Sequence, residues 1–314
     1  MLRRSRPAVD KAIAPQGGFS RGGQPLSHNR APAADLAPWI ARVYATIVEA
    51  PADHRLDCGL FNDRSCIRIQ LRGHWRALTA DGEQEHDRAA LYFGPQTRRM
   101  PVSVTGSFTS IGISLRPGAG FTVMRTNAAD YVDRLLPCEE VGLPGQAALA
   151  ALDPDMSAED MLCALEEFAR IIIAQTGAQP PEPVTAAFEA AAFADPTISI
   201  ADFARDHDIA QRRLERIVRR DFGMPPKQVL RRARALDMAS HLRGVADDSE
   251  AEEMALRFYD QSHLIREFTQ LFGMSPRQFV ERPQPILTLA LESRQARRLE
   301  AIERLAPGGL RPWQ

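Results

Sequence analysis

The strongest constraint on this chain is a repeat in its C-terminal third. Phe222-Gly223-Met224-Pro225-Pro226-Lys227-Gln228 recurs as Phe272-Gly273-Met274-Ser275-Pro276-Arg277-Gln278, an offset of 50 residues. Upstream, Gln211, Leu214 and Arg216 recur at the same offset as Gln261, Leu264 and Arg266. Two copies at one offset call for two copies of one supersecondary unit, too few for a solenoid. Each copy reads as helix-turn-helix. In the first, Ser199 is an N-cap with Asp202 three residues on, and Ile200, Phe203 and Ala204 face inward. A break at Asp208-Ile209-Ala210 starts a second helix, Gln211 to Phe222, whose inner stripe is Leu214, Ile217, Val218 and Phe222. Gly223 suits the left-handed residue that closes a helix, and Pro225 prevents continuation.

The outer face of that second helix carries Arg212, Arg216, Arg219 and Arg220. Over its full length the chain is near neutral, with 39 Lys+Arg against 40 Asp+Glu and a formal charge of -1. That total argues against nucleic acid only if charge is evenly spread. Between Gln211 and Arg243 the bases are Arg212, Arg213, Arg216, Arg219, Arg220, Lys227, Arg231, Arg232, Arg234 and Arg243, and the acids are Glu215, Asp221 and Asp237, leaving +7. A basic face on the second helix of a helix-turn-helix lies on the element that enters a major groove. The arginine fork suits phosphate oxygens and guanine edges alike. A helix from about Pro226 to Arg243, with Val229, Leu230, Ala233, Leu236 and Ala239 inward, joins the units. At ~1.5 Å per residue it spans ~27 Å, against ~34 Å between successive major grooves on one DNA face. One chain can therefore place two recognition helices in adjacent grooves. They would read unlike half-sites, because Arg212, Arg213 and Glu215 are replaced by Ser262, His263 and Ile265.

Upstream the pattern changes. Residues 1–32 are rich in Arg, Pro, Gly and Ser without periodicity and read as a disordered tail. Leu36, Ile40, Val43, Tyr44 and Ile47 form a stripe that predicts a helix from Leu36 to Val48. Cys66 to Leu71 alternates, with Ile67, Ile69 and Leu71 on one face and Arg68, Gln70 and Arg72 on the other. Asp81-Gly82 marks a hairpin, and Ala89–Phe93, Val102–Thr105 and Phe108–Leu115 are further strands. Helical spacing returns at Leu143–Leu152 and after the cap Ser157 with Asp160. The expected organisation is a tail at 1–32, a β-rich sensor or dimerisation domain with C-terminal helices at 33–176, a proline-rich linker at 177–185, a DNA-binding domain at 186–282 and a helical extension at 283–314. The fold class is α+β: a β-rich N-terminal domain followed by an all-α double helix-turn-helix domain. In the extension, Arg294, Arg297 and Arg298 can pack back on the domain, contact phosphate or support dimerisation.

The C-terminal residues resemble the AraC/XylS-type transcription regulators over about residues 186–282. The match is carried by Leu214-x-Arg216 with Phe222-Gly223-x-x-Pro226, and by Asp260-Gln261-Ser262-His263-Leu264-x-Arg266-x-Phe268 with Phe272-Gly273-x-Ser275-Pro276. The resemblance implies two helix-turn-helix units joined by a long helix and a sequence-specific regulator as the function. It places DNA contacts on Arg212, Glu215 and Arg216, and on Gln261, Ser262, His263 and Arg266. Arg213 and Arg219 complete the candidate DNA-binding set. The second unit departs from the family, with Glu253 and Arg257 where a small residue and a turn glycine are usual, after an acidic run from Asp247 to Glu253. A weaker second half-site is expected from this. The N-terminal part is similar to the sensor half of some such regulators through Leu36-Ala37-Pro38-Trp39, Gly59-Leu60-Phe61-Asn62-Asp63, Phe93-Gly94-Pro95-Gln96 and Leu115-Arg116-Pro117-Gly118-Ala119. That similarity implies a cupin-like barrel that binds a small-molecule effector, forms a homodimer, or both.

Other chemistry is less well supported. Cys58, Cys66, Cys138 and Cys163 do not cluster, and His54, His74 and His86 lack an H-x-H pair, so no metal site is expected. No phosphate loop or nucleophile motif is present, no cofactor is expected, and the chain reads as a non-enzyme. Arg68, Arg72, Trp75 and Arg116 are the candidates for a ligand pocket. The rival reading is a barrel-domain enzyme with an accessory DNA-binding module. Expected partners are double-stranded operator DNA, RNA polymerase and a small-molecule effector. No membrane segment is expected, and the location is cytoplasmic.

Overall fold

The computed structural model describes residues 7–16, 18, 27–246 and 261–305. Nine antiparallel strands form one sheet: β1 Ala14–Pro15, β2 His28–Arg30, β3 Ile40–Glu49, β4 Arg55–Leu60, β5 Cys66–Thr79, β6 Gly82–His86, β7 Ala89–Phe93, β8 Met100–Leu115 and β9 Leu135–Pro137. The path runs β1-β3-β8-β5-β7-β9, with β2 on β3, β4 on β8 and β6 on β5. Its ends, β1 and β9, do not pair with each other among the described residues. The two long strands bend. β8 pairs β4 through Met100–Thr105 and β3 through Phe108–Leu115, with Gly106 at φ 74° between the two stretches. β5 slips register between Gln70 and His74, where Gly73 sits at φ 102°. Bulges and glycine let one strand serve two partners and turn the sheet on itself.

Two sequence expectations need correction. Leu36–Val48 is not a helix, because Ile40–Glu49 is strand β3. The stripe is real, but Ile40, Val43, Thr46, Ile47 and Val48 are β-branched, and the strand is buried along nearly its whole length between β8 and the β1 and β2 segments. Both faces of a central strand are apolar, which imitates a helical stripe. The described parts of the expected tail are also ordered: Ile13 is buried, Ala14–Pro15 and His28–Arg30 pair with β3, and Arg30 grips Glu166 through two hydrogen bonds of 2.9 Å.

The helices are α1 Ala119–Met124, α2 Gly145–Ala150, α3 Ala158–Thr176, α4 Pro183–Ala194, α5 Ile200–Asp206, α6 Gln211–Phe222, α7 Pro226–Leu242, α8 Gln261–Phe272, α9 Pro276–Glu281 and α10 Pro285–Leu305. Ser157, Ser199 and Ser275 cap α3, α5 and α9 by accepting from the backbone N–H three residues on. Gly177 closes α3 in the left-handed region and Pro183 opens α4, so the proline-rich stretch is a turn between helices. One sheet face packs on α3, joining Val43, Ile69, Tyr92 and Ile111 to Met161, Leu162 and Leu165. The opposite face does not face water. Phe61, Trp75 and Phe108 share a core with Leu236 of α7, Phe268 and Phe272 of α8, Phe279 of α9 and Leu287 and Leu291 of α10. The first unit has a core of its own, built from Phe188, Phe203, Leu214, Val218, Phe222 and Val229. The two repeats are thus packed differently: the second is continuous with the sheet, while the first is self-contained.

The repeated glycine shows the same asymmetry. Gly223 and Gly273 both have positive φ, 82° and 69°. A Cβ on Gly223 would lie 2.6 Å from the Pro95 ring and 2.9 Å from Val132, whereas one on Gly273 meets nothing within 4 Å. Alanine at either site carries the left-handed penalty of about 1–2 kcal/mol. Gly223→Ala should cost about 1–3 kcal/mol beyond Gly273→Ala through the added clash. Urea unfolding of the two variants measures the difference, and equal midpoints would remove the Pro95 contact as its cause.

Candidate nucleic-acid interface

The first unit presents α6 as its second helix. Leu214, Ile217, Val218 and Phe222 are buried, which fixes the rotation of the helix and turns Arg212, Arg213, Glu215, Arg216 and Arg219 to the surface. No described carboxylate lies within ion-pair distance of Arg212, Arg216 or Arg219. Arg213 reaches Glu182 at 3.4 Å and stays 61% exposed, and Glu215 accepts a 3.0 Å hydrogen bond from Gln211. The N-terminal two turns of α6 therefore carry an unneutralised guanidinium face. Arg220, read from the sequence as part of that face, is not. It forks onto Asp221 at 2.6 and 2.8 Å, pairs with Glu182 at 2.9 Å and stacks 4.2 Å from the Phe121 ring centre. Asp221 is itself buried and takes a 2.6 Å hydrogen bond from the Thr185 hydroxyl.

In the second unit, α8 exposes Ser262, His263 and Arg266, and the side chain of Gln261 lies outside the described residues. His263 sits 3.8 Å from Glu267. Glu267, one position past Arg266, is buried and pairs with Arg231 at 3.1 Å and Arg234 at 3.6 Å on α7. The segment with Asp247, Glu253 and Arg257, where the sequence departs from the AraC/XylS pattern, lies outside the described residues, as does Asp260.

The +7 of the sequence between Gln211 and Arg243 is therefore an overcount of surface charge. Arg231 and Arg234 are held by Glu267. Arg232 is buried and donates to the carbonyls of Gln96 at 2.9 Å and Asp63 at 2.6 Å, and burial pushes its pKa down to about 10. Arg243 is buried beneath α10, donating to the Thr288 hydroxyl at 3.1 Å and the Phe279 carbonyl at 3.3 Å, and burial likewise lowers it to about 10. What remains outward is the compact patch on α6, with Lys227 beside it at the start of α7.

α6 and α8 share one further property. Each ends against the β-rich part: Gly223 beside Pro95, and the Leu271 carbonyl accepting the Arg99 N–H at 2.7 Å while Phe272 meets Phe61 edge-on at 5.1 Å. Sequence reading missed the docking role of the segments around Asp63 and Gln96. Gly59–Asp63 and Phe93–Gln96 stand out as motifs, but only the fold shows their carbonyls receiving Arg232. The histidines His54, His74 and His86 take separate partners, Asp10, Asp87 and Gln84. Among the described residues no group of three or more His, Cys, Asp or Glu is arranged to hold a metal, and no helix is long and apolar enough to cross a membrane.

A helix-turn-helix domain family matches residues 203–282, and a domain of unknown function (DUF6597) matches residues 28–137. No curated protein matches the sequence. Solved structures with a similar course include an apo variant of ToxT from Vibrio cholerae, at 10% identity over 80% of this chain and 98% of that one, TM-score 0.44. Unsaturated fatty acid-bound ToxT from the same organism aligns at 11% identity over 76% and 93%, TM-score 0.40. The AraC-like transcriptional activator CuxR aligns at 12% identity over 69% and 88%, TM-score 0.27. Likenesses this distant assign neither ligand nor operator.

Glu267 gives a direct test of the arrangement. Glu267→Gln leaves Arg231 and Arg234 without an anion at side chains that are 31% and 23% exposed, and should cost about 1–3 kcal/mol. Faster amide exchange confined to α8 and the facing turns of α7 would accompany it. Unchanged stability would mean that the two arginines are held by solvent instead.

Proposed function

We propose that the chain, whose residues 203–282 match a helix-turn-helix domain family, is a sequence-specific transcription regulator of the AraC/XylS type controlled through its β-rich part. The observation that carries this is the α6 patch: Arg212, Arg216 and Arg219 exposed and unneutralised on the second helix of the unit. Such a face has strong affinity for phosphate and a fork for base edges. In this reading Arg212, Arg213, Glu215, Arg216 and Arg219 contact one major groove. Gln261, Ser262, His263 and Arg266 contact the next. Glu215 accepts from cytosine and Gln261 pairs with adenine. The first groove is held more tightly, because α8 offers one free arginine to three on α6. A small-molecule effector, a second copy of the chain and RNA polymerase are the expected partners, and the site of action is the cytoplasm.

Selection of bound sequences from a random DNA pool tests the reading: one enriched motif with two unlike halves is expected. Arg216→Ala should cost about 1–3 kcal/mol of operator affinity and lower the slope of log K against log salt by about one. Arg266→Ala should cost less. A pool without any enriched motif would overturn the assignment, and equal losses for the two variants would overturn the ranking of the half-sites.

A further inference from the structure

Arg68 is the one cation of the interior that the described residues leave without a counter-ion or a carbonyl. It sits on β5, on the face that sequence alternation assigns to the polar side, yet it is only 7% exposed. Its Nε donates to the Tyr44 hydroxyl at 3.0 Å, and its guanidinium lies 4.9 Å from the Phe93 ring centre. Aromatic faces soften a buried cation without neutralising it. The neighbouring arginines differ. Arg64 pairs with Glu189, Arg294 with Asp237 at 2.5 Å, and Arg297 with Asp63 at 2.8 Å. Tyr44 does not serve as the missing anion, because burial pushes its phenol up to about 12.

All four arginines line one cavity of about 60 Å³ between the sheet and α10. Its wall also holds the Ser110 hydroxyl, which has no hydrogen-bond partner, and Arg64 and Arg297 keep buried N–H groups that make no hydrogen bond, although Arg64 Nε lies 3.5 Å from Asp63 and an Arg297 nitrogen 3.6 Å from Glu189. The rest of the wall is mixed: Phe61, Trp75, Phe108 and Leu289 give it an apolar floor, and polar side chains such as Asn62 and Ser114 complete it, with the Asp63 carboxylate already engaged by Arg297 at 2.8 Å. At roughly 10–15 Å³ for each water-sized group, a cavity of about 60 Å³ holds about four to six non-hydrogen atoms. A planar guanidinium fork, a free hydroxyl donor and an aromatic floor together select a planar anion with a short carbon body. Inorganic phosphate would set polar oxygens against Phe61 and Trp75, and a long-chain acid would have to displace α10.

We propose that this cavity is a binding site for a short-chain carboxylate, whose two oxygens lie on the Arg68 fork, with Ser110 donating to one of them and the carbon body against Trp75 and Phe108. The site rests on the reading of the β-rich part as the controlling half of the regulator. It also gives that control a route. The far wall of the cavity is α10, and α10 is fastened to the DNA-binding half by Arg294 on Asp237 and by the Arg298 Nε on the Phe193 carbonyl at 2.9 Å. An occupant bridging sheet and α10 tightens the seam that fixes both recognition helices.

Thermal unfolding of the full chain with sodium propionate, against propionamide and against sodium chloride at equal ionic strength, tests the proposal. Propionate should raise Tm by a few degrees in a saturable way, and propionamide, which has the same shape without the charge, should not. Arg68→Met should abolish the rise. If that variant fails to fold, Tyr44→Phe, which removes the Nε partner, should weaken propionate binding several-fold in the same titration. Equal shifts from acid and amide, no shift from propionate, or an undiminished shift in the variants would overturn the site. Operator selection run in parallel separates the two readings: an enriched motif in a protein indifferent to propionate removes the carboxylate site and leaves the regulator, whereas a pool without a motif removes the regulator.

Discussion

A guanidinium taken out of water must be given an anion, a carbonyl dipole or an aromatic face, and the junction between sheet and helices is built on that requirement. Arg64, Arg232, Arg294, Arg297 and Arg298 are all buried there. Asp63 lies at the centre, 2.8 Å from Arg297 and 3.4 Å from Arg294, while its backbone carbonyl receives Arg232 at 2.6 Å. Glu189 and Asp237 complete the set. Pairs of this kind add little net stability over apolar packing, but each is costly to break, because it leaves a bare charge behind. They therefore act as a specification. The sheet and the helices have one docking register in which every one of these cations finds its partner.

Local signals carried most of the helical half into the sequence reading. The caps at Ser157 and Ser199, the left-handed glycine Gly223, and the stripe Leu214–Phe222 each depend on neighbours within one or two turns. The exposed candidates on α6 and α8 followed from the same periodicity. What the sequence concealed was long-range. β3 has a helical stripe because it is buried on both faces, and within its ten residues only the run of β-branched side chains points to a strand. Arg232 and Arg243 looked like surface charge, since arginine is rarely buried and their partners come from Asp63, Gln96 and Thr288. Arg68 showed its polar face in the alternation, but only the fold reveals that α10 covers that face.

The two units also divide their labour in a way that sequence identity hides. The first has its own core and meets the β-rich part through the end of α6 and through Glu189 of α4. The second lends Phe268, Phe272 and Phe279 to the core of the sheet itself, and its Glu267 is committed to α7. The free guanidinium groups are accordingly concentrated on the first unit, and the second is the more rigidly mounted. Repetition of a motif here gives two copies of a shape and one copy of a charge pattern.

The shared core has a consequence for how the chain is made. The strands emerge from the ribosome first, and by the time β9 is complete Phe61, Trp75 and Phe108 have no helical cover. That cover is supplied by Phe268, Phe272, Phe279, Leu287 and Leu291, about 130 residues or more further along the chain. At ~5–20 residues per second the uncovered face waits on the order of ten seconds or longer. The nascent sheet is a natural client for a chaperone throughout that interval, and a ribosome that stops before α10 releases a sticky fragment instead of a working N-terminal half.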